Sequence, residues 1–134
     1  MSFKCTEAFV TIATANFVKL VDFYIKFLNQ NPNNHISNSY AEFQLTGLKL
    51  AIFKPKKSSN SEFNDSFRSS ISLCLEVKDL ESVMYHLQTL GHPPFGEITN
   101  TSHGREVYAY DIDGNRIILH QSWEWGVGSG EKKQ

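Results

Sequence analysis

The stretch from Phe9 to Leu28 and the stretch from Ser72 to Gly91 carry one pattern of apolar residues, in the same order and without a gap. Val10 matches Leu73, Ile12 matches Leu75, Asn16 matches Asp79, Phe17 matches Leu80, Leu20 matches Val83, Tyr24 matches Leu87 and Phe27 matches Leu90. The agreement passes through a period-2 part and then a period-3.6 part, at a separation of about sixty residues, which marks an internal repeat. The period-2 part predicts a strand over Phe9 to Thr14 and another over Ser72 to Val77. After Asn16 as N-cap, the stripe Phe17, Leu20, Val21, Tyr24, Phe27 and Leu28 predicts a helix ending near Asn29. After Asp79 as cap, Leu80, Val83, Met84, Leu87 and Leu90 predict a second helix that Gly91 ends.

Strand signals follow each helix. Tyr40 to Leu45 and Leu48 to Phe53 flank Thr46-Gly47, a two-residue hairpin signal. In the second half a strand near Pro94 to Ile98 precedes a hairpin of Glu106 to Tyr110 and Arg116 to Gln121, closed by DIDGN. Each half therefore reads β-α-β-β-β, with module one over 6–54, an exposed linker over 55–69 and module two over 70–122. Residues 123–134 form a tail with a disordered end. Asp111, Asp113, Gly114 and Asn115 supply the side-chain acceptors and positive φ of a tight reversal. A calcium loop needs a later glycine and a terminal Glu at fixed spacing, and neither is present.

Composition narrows the function classes. With 134 residues, 40% of them hydrophobic, the chain can bury a core as one domain. A formal charge of -1 gives no global field for nucleic acid or an anionic membrane, so neither is expected as a partner. The start MSFKCTEAF lacks a secretion-signal pattern and no apolar run spans a bilayer, which predicts a cytoplasmic protein. Cys5 and Cys74 have no CxxC spacing and are read as reduced thiols, Cys74 as a small buried hydrophobe.

The tandem modules, Asp22-Phe23-Tyr24 on the first helix, Gly91 after the second, His103-Gly104 and Asp111-Ile112-Asp113-Gly114-Asn115 together resemble the vicinal oxygen chelate superfamily. That group includes glyoxalases, extradiol dioxygenases, fosfomycin-resistance enzymes and bleomycin-resistance proteins. The resemblance, over roughly residues 6 to 122, implies an α+β fold: two βαβββ modules forming a half-open barrel with the helices outside and a cavity inside. It also implies a homodimer, and a metal held by His, Gln or Glu from the first and last strands of each module. Carried onto this chain, those positions are Phe9, Ala51, Ser72 and Ile118, none a competent ligand, so no metal and no cofactor are expected.

Side-chain parity separates core from cavity. Val10, Ile12, Leu73, Leu75 and Val77 face the helices, which leaves Phe9, Thr11, Ala13, Ser72, Cys74 and Glu76 on the other face. Hairpin pairing adds Tyr40, Glu42, Gln44, Lys49, Ala51 and Phe53 in the first module, and Tyr108, Tyr110, Arg116, Ile118 and His120 in the second. Glu42 or Glu76 against aromatic side chains is a general base with a raised pKa, or else pairs with Lys49 or Arg116. Glu76 is the one catalytic candidate. His35, His86 and His92 fall on a loop, the helix surface and a turn, and His103, His120 and Glu106 are the ligand types left in the second half. Trp123 and Trp125 cap the cavity, a dimer interface or the core edge.

These residues predict a metal-free protein that sequesters a small, partly aromatic ligand. The lining set is Phe9, Thr11, Glu42, Phe53, Ser72, Cys74, Glu76, Tyr108, Tyr110, Arg116, Ile118 and His120. The alternative is a metal-dependent lyase, isomerase or dioxygenase with displaced ligands.

Overall fold

The apolar stripes decide where each helix lies. In a computed structural model that describes residues 4–63 and 69–123, the chain divides into two compact units, Met1–Ser66 and Phe67–Gln134. The division falls inside the segment expected as a linker.

In the first unit, β1 (Val10–Ala13) leads into α1 (Phe17–Leu28), and β2 (His35–Ile36), β3 (Tyr40–Leu45) and β4 (Leu48–Phe53) follow. They form one four-stranded sheet in the order β1-β4-β3-β2. β1 runs parallel to β4, and the other pairs are antiparallel. Helix α1 packs on β4, burying Phe17, Leu20, Val21, Phe23, Tyr24 and Phe27 with Ala41, Phe43, Leu50 and Ile52 of the sheet. Tyr24 stands 6.3 Å from Phe43 of β3, ring centre to ring centre, an aromatic contact between helix and sheet within a core of aliphatic and aromatic side chains.

The second unit repeats the design. After the 3-10 turn Lys57–Ser59 and the short helix α2 (Asn60–Phe63), the elements are β5 (Leu73–Glu76), α3 (Leu80–Thr89), β6 (Phe95–Thr101), β7 (Gly104–Tyr110) and β8 (Arg116–Ser122). The sheet order is β5-β8-β7-β6, the same topology. Helix α3 packs on β8, and its Leu80 and Leu87 are buried with Leu73, Val107, Ala109, Ile117 and Leu119. Both modules are thus βαβββ as expected, and the sheets are not closed into a barrel.

The repeat holds in register through the strand and the helix start, then slips. α1 ends at Leu28, whose repeat partner is Gly91, whereas α3 ends earlier, at Thr89. Both ends close through a left-handed residue followed by a backbone bond reaching five residues back. Asn29 (φ 54) takes that conformation with Gln30 N–H bonded to the Ile25 carbonyl, and Gly91 (φ 85) takes it with His92 N–H bonded to the Leu87 carbonyl. The glycine, being placed earlier, stops the second helix sooner.

Caps differ too. Asp79 Oδ1 accepts from Ser82 N–H at 3.1 Å as expected, but Asn16 makes no side-chain cap bond. Its backbone N–H instead donates to Thr14 Oγ1 at 2.9 Å. The N-terminus of α3 is also tied to its sheet, since Gln121 Oε1 accepts from Leu80 N–H at 2.8 Å and from the Arg105 guanidinium at 3.0 Å. Arg105 also grips Glu81 through two bonds of 2.6 and 2.8 Å, which holds the Glu81 carboxyl down at about 2.

Several expectations need correcting. His35, expected in a loop, pairs with Ala41 as part of β2. The strand expected near 94–98 runs from Phe95 to Thr101 with an irregularity between Phe95 and Thr99. The exposed linker holds structure: α2 sets the ring of Phe63 edge-on to Phe53 at 5.4 Å. Cys74 is exposed, not buried, because it occupies the face of β5 away from α3. His86 is half-buried rather than fully solvated. Among the described residues no helix is long and apolar enough to cross a membrane. Trp125 and the end of the tail lie outside the described residues.

The reversal DIDGN is a side-chain-braced turn. Asp111, 4% exposed, accepts from Asp113 N–H at 2.9 Å and Asn115 N–H at 3.0 Å through Oδ1, and from the Asn115 amide at 2.8 Å through Oδ2. The Asp111 carboxylate therefore braces the hairpin as expected, while Asp113 contributes its backbone N–H. Gly104 is required for a different reason. A Cβ there would lie 2.2 Å from the Gln121 carbonyl oxygen and 2.8 Å from Ser122 Cα, both backbone atoms of β8. We expect Gly104→Ala to lower stability by about 1–3 kcal/mol in urea denaturation, as over-packing against immovable backbone does, while Thr101→Ala changes it by less than about 1 kcal/mol.

Candidate functional site

Each sheet has one face against its helix and one away from it, and strand register fixes which residues share the second face. In the first unit Thr11, Ala51 and Glu42 are Cα partners in one row, and Ala13, Phe53 and Tyr40 in the next. Lys49 pairs with Gln44, and its ammonium stands 5.2 Å from the centre of the Phe9 ring, just before β1. The expected first-module set is thus brought onto one face. Ala51 is fully buried there, whereas Phe9 is 42% exposed.

The charges on this face are mutually satisfied. Lys49 Nζ lies 2.8 Å from Glu7 and 3.6 Å from Glu42. Glu42 accepts from the Tyr40 hydroxyl at 2.6 Å and the Asn34 amide at 2.8 Å. The Tyr40 bond first, then the Asn34 bond, holds the Glu42 carboxyl below its ordinary value, and burial opposes them only in part. Glu42 is an ionised partner of Lys49 and Tyr40, not a base with a raised pKa.

In the second unit the rows are Cys74, Ile118 and Tyr108, then Glu76, His120 and Glu106. Arg116 pairs with Tyr110, and its Nη1 donates to Ser72 Oγ at 3.0 Å and to the Ser69 carbonyl at 3.4 Å. The expected second-module residues therefore also share a face, and Glu106 joins them, a residue parity alone would have included. Tyr108 is 44% exposed and Phe95, its partner on β6, 77% exposed, with Phe95 edge-on to Tyr110 at 6.1 Å. Trp123 lies at the rim, donating from its indole to the Thr101 carbonyl at 3.2 Å.

His120 is the chemically distinctive residue. It is 9% exposed, and its Nδ1 lies 2.7 Å from Glu76 Oε1. The other carboxylate oxygen of Glu76 accepts from Ser122 N–H at 2.7 Å. Partial desolvation pushes the Glu76 carboxyl up, but the bonds from His120 and Ser122 outweigh it and leave the pKa lowered. Of the two expected partners for these acids, Lys49 pairs with Glu42, while Arg116 bonds Ser72 and Ser69. An ionised carboxylate only accepts, which assigns a proton to His120 Nδ1; in the neutral ring Nε2 then carries the lone pair. Among the described residues Nε2 is a buried polar atom without a hydrogen-bond partner, a condition that costs about 1–3 kcal/mol. The His103 ring is 5.9 Å away, with its Nδ1 2.8 Å from Ser102 Oγ.

Cys74 is no activated thiol. Desolvation, then the charges of Glu106 and Glu76, push its pKa up, which disfavours the thiolate.

No protein-family model matches the sequence, and no curated protein matches it. Solved structures do share its fold. A glyoxalase/bleomycin resistance protein from Catenulispora acidiphila is 20% identical, with a TM-score of 0.65 over 87% of this chain and 97% of that one. A glyoxalase-related enzyme from Fulvimarina pelagi is 18% identical, with a TM-score of 0.70 over 92% and 94%. The fosfomycin resistance protein FosX from Listeria monocytogenes, in a complex with Mn(II) and sulfate, is 17% identical, with a TM-score of 0.70 over 90% and 93%. At these identities the likeness is one of fold.

The residues here do not suit a metal of that kind. Phe9, Ala51 and Ile118 offer no lone pair, and Ser72 Oγ is occupied by Arg116. Among the described residues no three His, Cys, Asp or Glu side chains gather as a set able to hold an ion.

The Glu76–His120 pair predicts a pH-dependent stability. Because the folded pKa of Glu76 lies below its ordinary 4.5, its contribution is full above the unfolded value and fades as pH falls through the folded one. We expect Glu76→Gln to cost about 1 kcal/mol at pH 7 in urea denaturation. The gap to wild type should shrink steadily below pH 4.5.

Proposed function

We infer that this chain, built on the fold shared by glyoxalase/bleomycin-resistance proteins and FosX, binds a small, partly aromatic molecule and holds it without a metal and without transforming it. The observation that carries this reading is the open face of the second sheet. Tyr108 and Phe95 are exposed there beside Tyr110, a surface for ring contact, while Arg116 and His120 offer polar groups on the same face. Arg116 uses one guanidinium nitrogen on Ser72 and Ser69, which leaves donors for an anionic or carbonyl oxygen of the ligand. Cys74, Ile118 and Glu76 complete the lining in this unit. Phe9, Thr11, Glu42 and Phe53 provide the corresponding face of the first unit.

Sequestration is favoured over catalysis because no donor set for a metal gathers among the described residues and desolvation pushes the Cys74 thiol pKa up, which disfavours its thiolate. The free thiols Cys5 and Cys74 fit a cytoplasmic setting. A homodimer is part of the proposal.

Native mass spectrometry of freshly purified protein tests these points together. The expected spectrum is a metal-free dimer, with or without an organic ligand. Stoichiometric metal that survives dialysis would shift the assignment to an enzyme. Tyr108→Ala with Tyr110→Ala should weaken binding of aromatic probes, followed by tyrosine and tryptophan fluorescence, by roughly tenfold or more.

A further inference from the structure

We propose that His120, backed by Glu76, is a proton acceptor for a weakly acidic O–H or N–H group of the bound molecule, such as a phenol, an enol or an azole. The inference rests on the binding reading above and names the chemical class that this face selects.

Geometry sets the roles. Nδ1 of His120 is fixed at 2.7 Å from Glu76 Oε1, and Ser122 N–H at 2.7 Å holds the other carboxylate oxygen, so the carboxylate cannot turn away. The ring is therefore oriented from behind, with its basic nitrogen pointed elsewhere. That nitrogen, Nε2, is buried and unpartnered among the described residues, in a side chain that is 9% exposed overall. A buried acceptor is ordinarily matched by a donor. A ligand X–H group supplies the one that is missing.

Other titratable groups lie around His120. Glu106 faces it from β7 as its Cα partner, Glu76 from β5, and Cys74 lies one row away on β5. His103 stands 5.9 Å off on the turn between β6 and β7. In the transfer the X–H bond breaks, Nε2–H forms, and the electron pair stays on X. The resulting imidazolium is neutralised by Glu76, its hydrogen-bonded partner.

The repeat provides an internal control. In the first unit the matching row is Ala13, Phe53 and Tyr40, where the second has Glu76, His120 and Glu106. The same frame is thus built without an acid and a histidine in that row. The pair is not a demand of the fold.

The probe is 4-nitrophenol, whose colour distinguishes phenol from phenolate, with nitrobenzene as a partner lacking the acidic proton. Wild type is expected to bind 4-nitrophenol as the phenolate at a pH where the free probe is mostly neutral. His120→Gln should bind it roughly tenfold more weakly and in the neutral form. Glu76→Gln should lose the phenolate colour of the bound probe, since the ring is no longer backed by a carboxylate. Long-range proton–nitrogen spectra of the free protein should place the proton of His120 on Nδ1.

A proton on Nε2 in those spectra, or equal affinity and colour in wild type and His120→Gln, overturns the proposal. If wild type takes up nitrobenzene but treats 4-nitrophenol no differently, this inference fails and the binding reading stands. If it takes up neither, both fail.

Discussion

The packing of one apolar helix stripe onto the middle of a four-stranded sheet, made once in each unit, is the constraint on which the rest depends. Burial of Leu20, Tyr24, Phe43, Leu50 and Ile52 in the first unit, and of Leu80, Leu87, Ile117 and Leu119 in the second, fixes one face of each sheet as core. A slip of one residue in any strand would turn its apolar side chains outward, at a cost of about 1.5–3 kcal/mol for each large one exposed. The register is thereby locked. The chemical groups on the opposite faces are placed by that lock rather than by contacts of their own.

Once the frame is held this way, the outer face is free to vary, and the two units show how far. They share a topology and a strand register, yet the first closes its charges into a satisfied network of Glu7, Lys49, Glu42, Tyr40 and Asn34. The second spends a carboxylate on orienting a histidine and leaves the far nitrogen of that ring without a partner among the described residues. Satisfied networks stabilise, whereas a buried orphan costs stability. That asymmetry is the reason for placing the selective chemistry in the second unit.

Much of this was legible in the sequence because it depends on period and on turn chemistry. The βαβββ repeat, the Thr46-Gly47 hairpin, the DIDGN reversal and the sharing of a face by Glu76, Arg116, Ile118 and His120 all follow from alternation and from residues with special backbone needs. Less legible were features set by contact. The two-residue strand β2 has too few residues to show a period. Exposure of Cys74 follows from its parity, which placed it on the open face, and the general preference of cysteine for burial was the weaker guide. Glu42 and Glu76 were candidates for raised pKa values on burial alone. Both are lowered because hydrogen-bond donors outweigh desolvation: Tyr40 on the same strand and Asn34 before β2 for Glu42, and His120 and Ser122 of β8 for Glu76, a neighbouring strand whose donors become visible only with register.

Apolar side chains at Phe9, Ala51 and Ile118 and the Glu76–His120 pair are compatible with one frame for a physical reason. A metal centre needs several donors converging within about 2 Å of one point, so it draws on several strands at once and fails when any of them changes type. A carboxylate–histidine pair needs only two adjacent strands in register, and β5 and β8 supply that through the pairing of Glu76 with His120. Such a pair therefore asks of the fold only that the parallel β5–β8 ladder be intact. That ladder is held by Leu73 and Leu75 against Ile117 and Leu119, on the face that the helix stripe requires to be apolar.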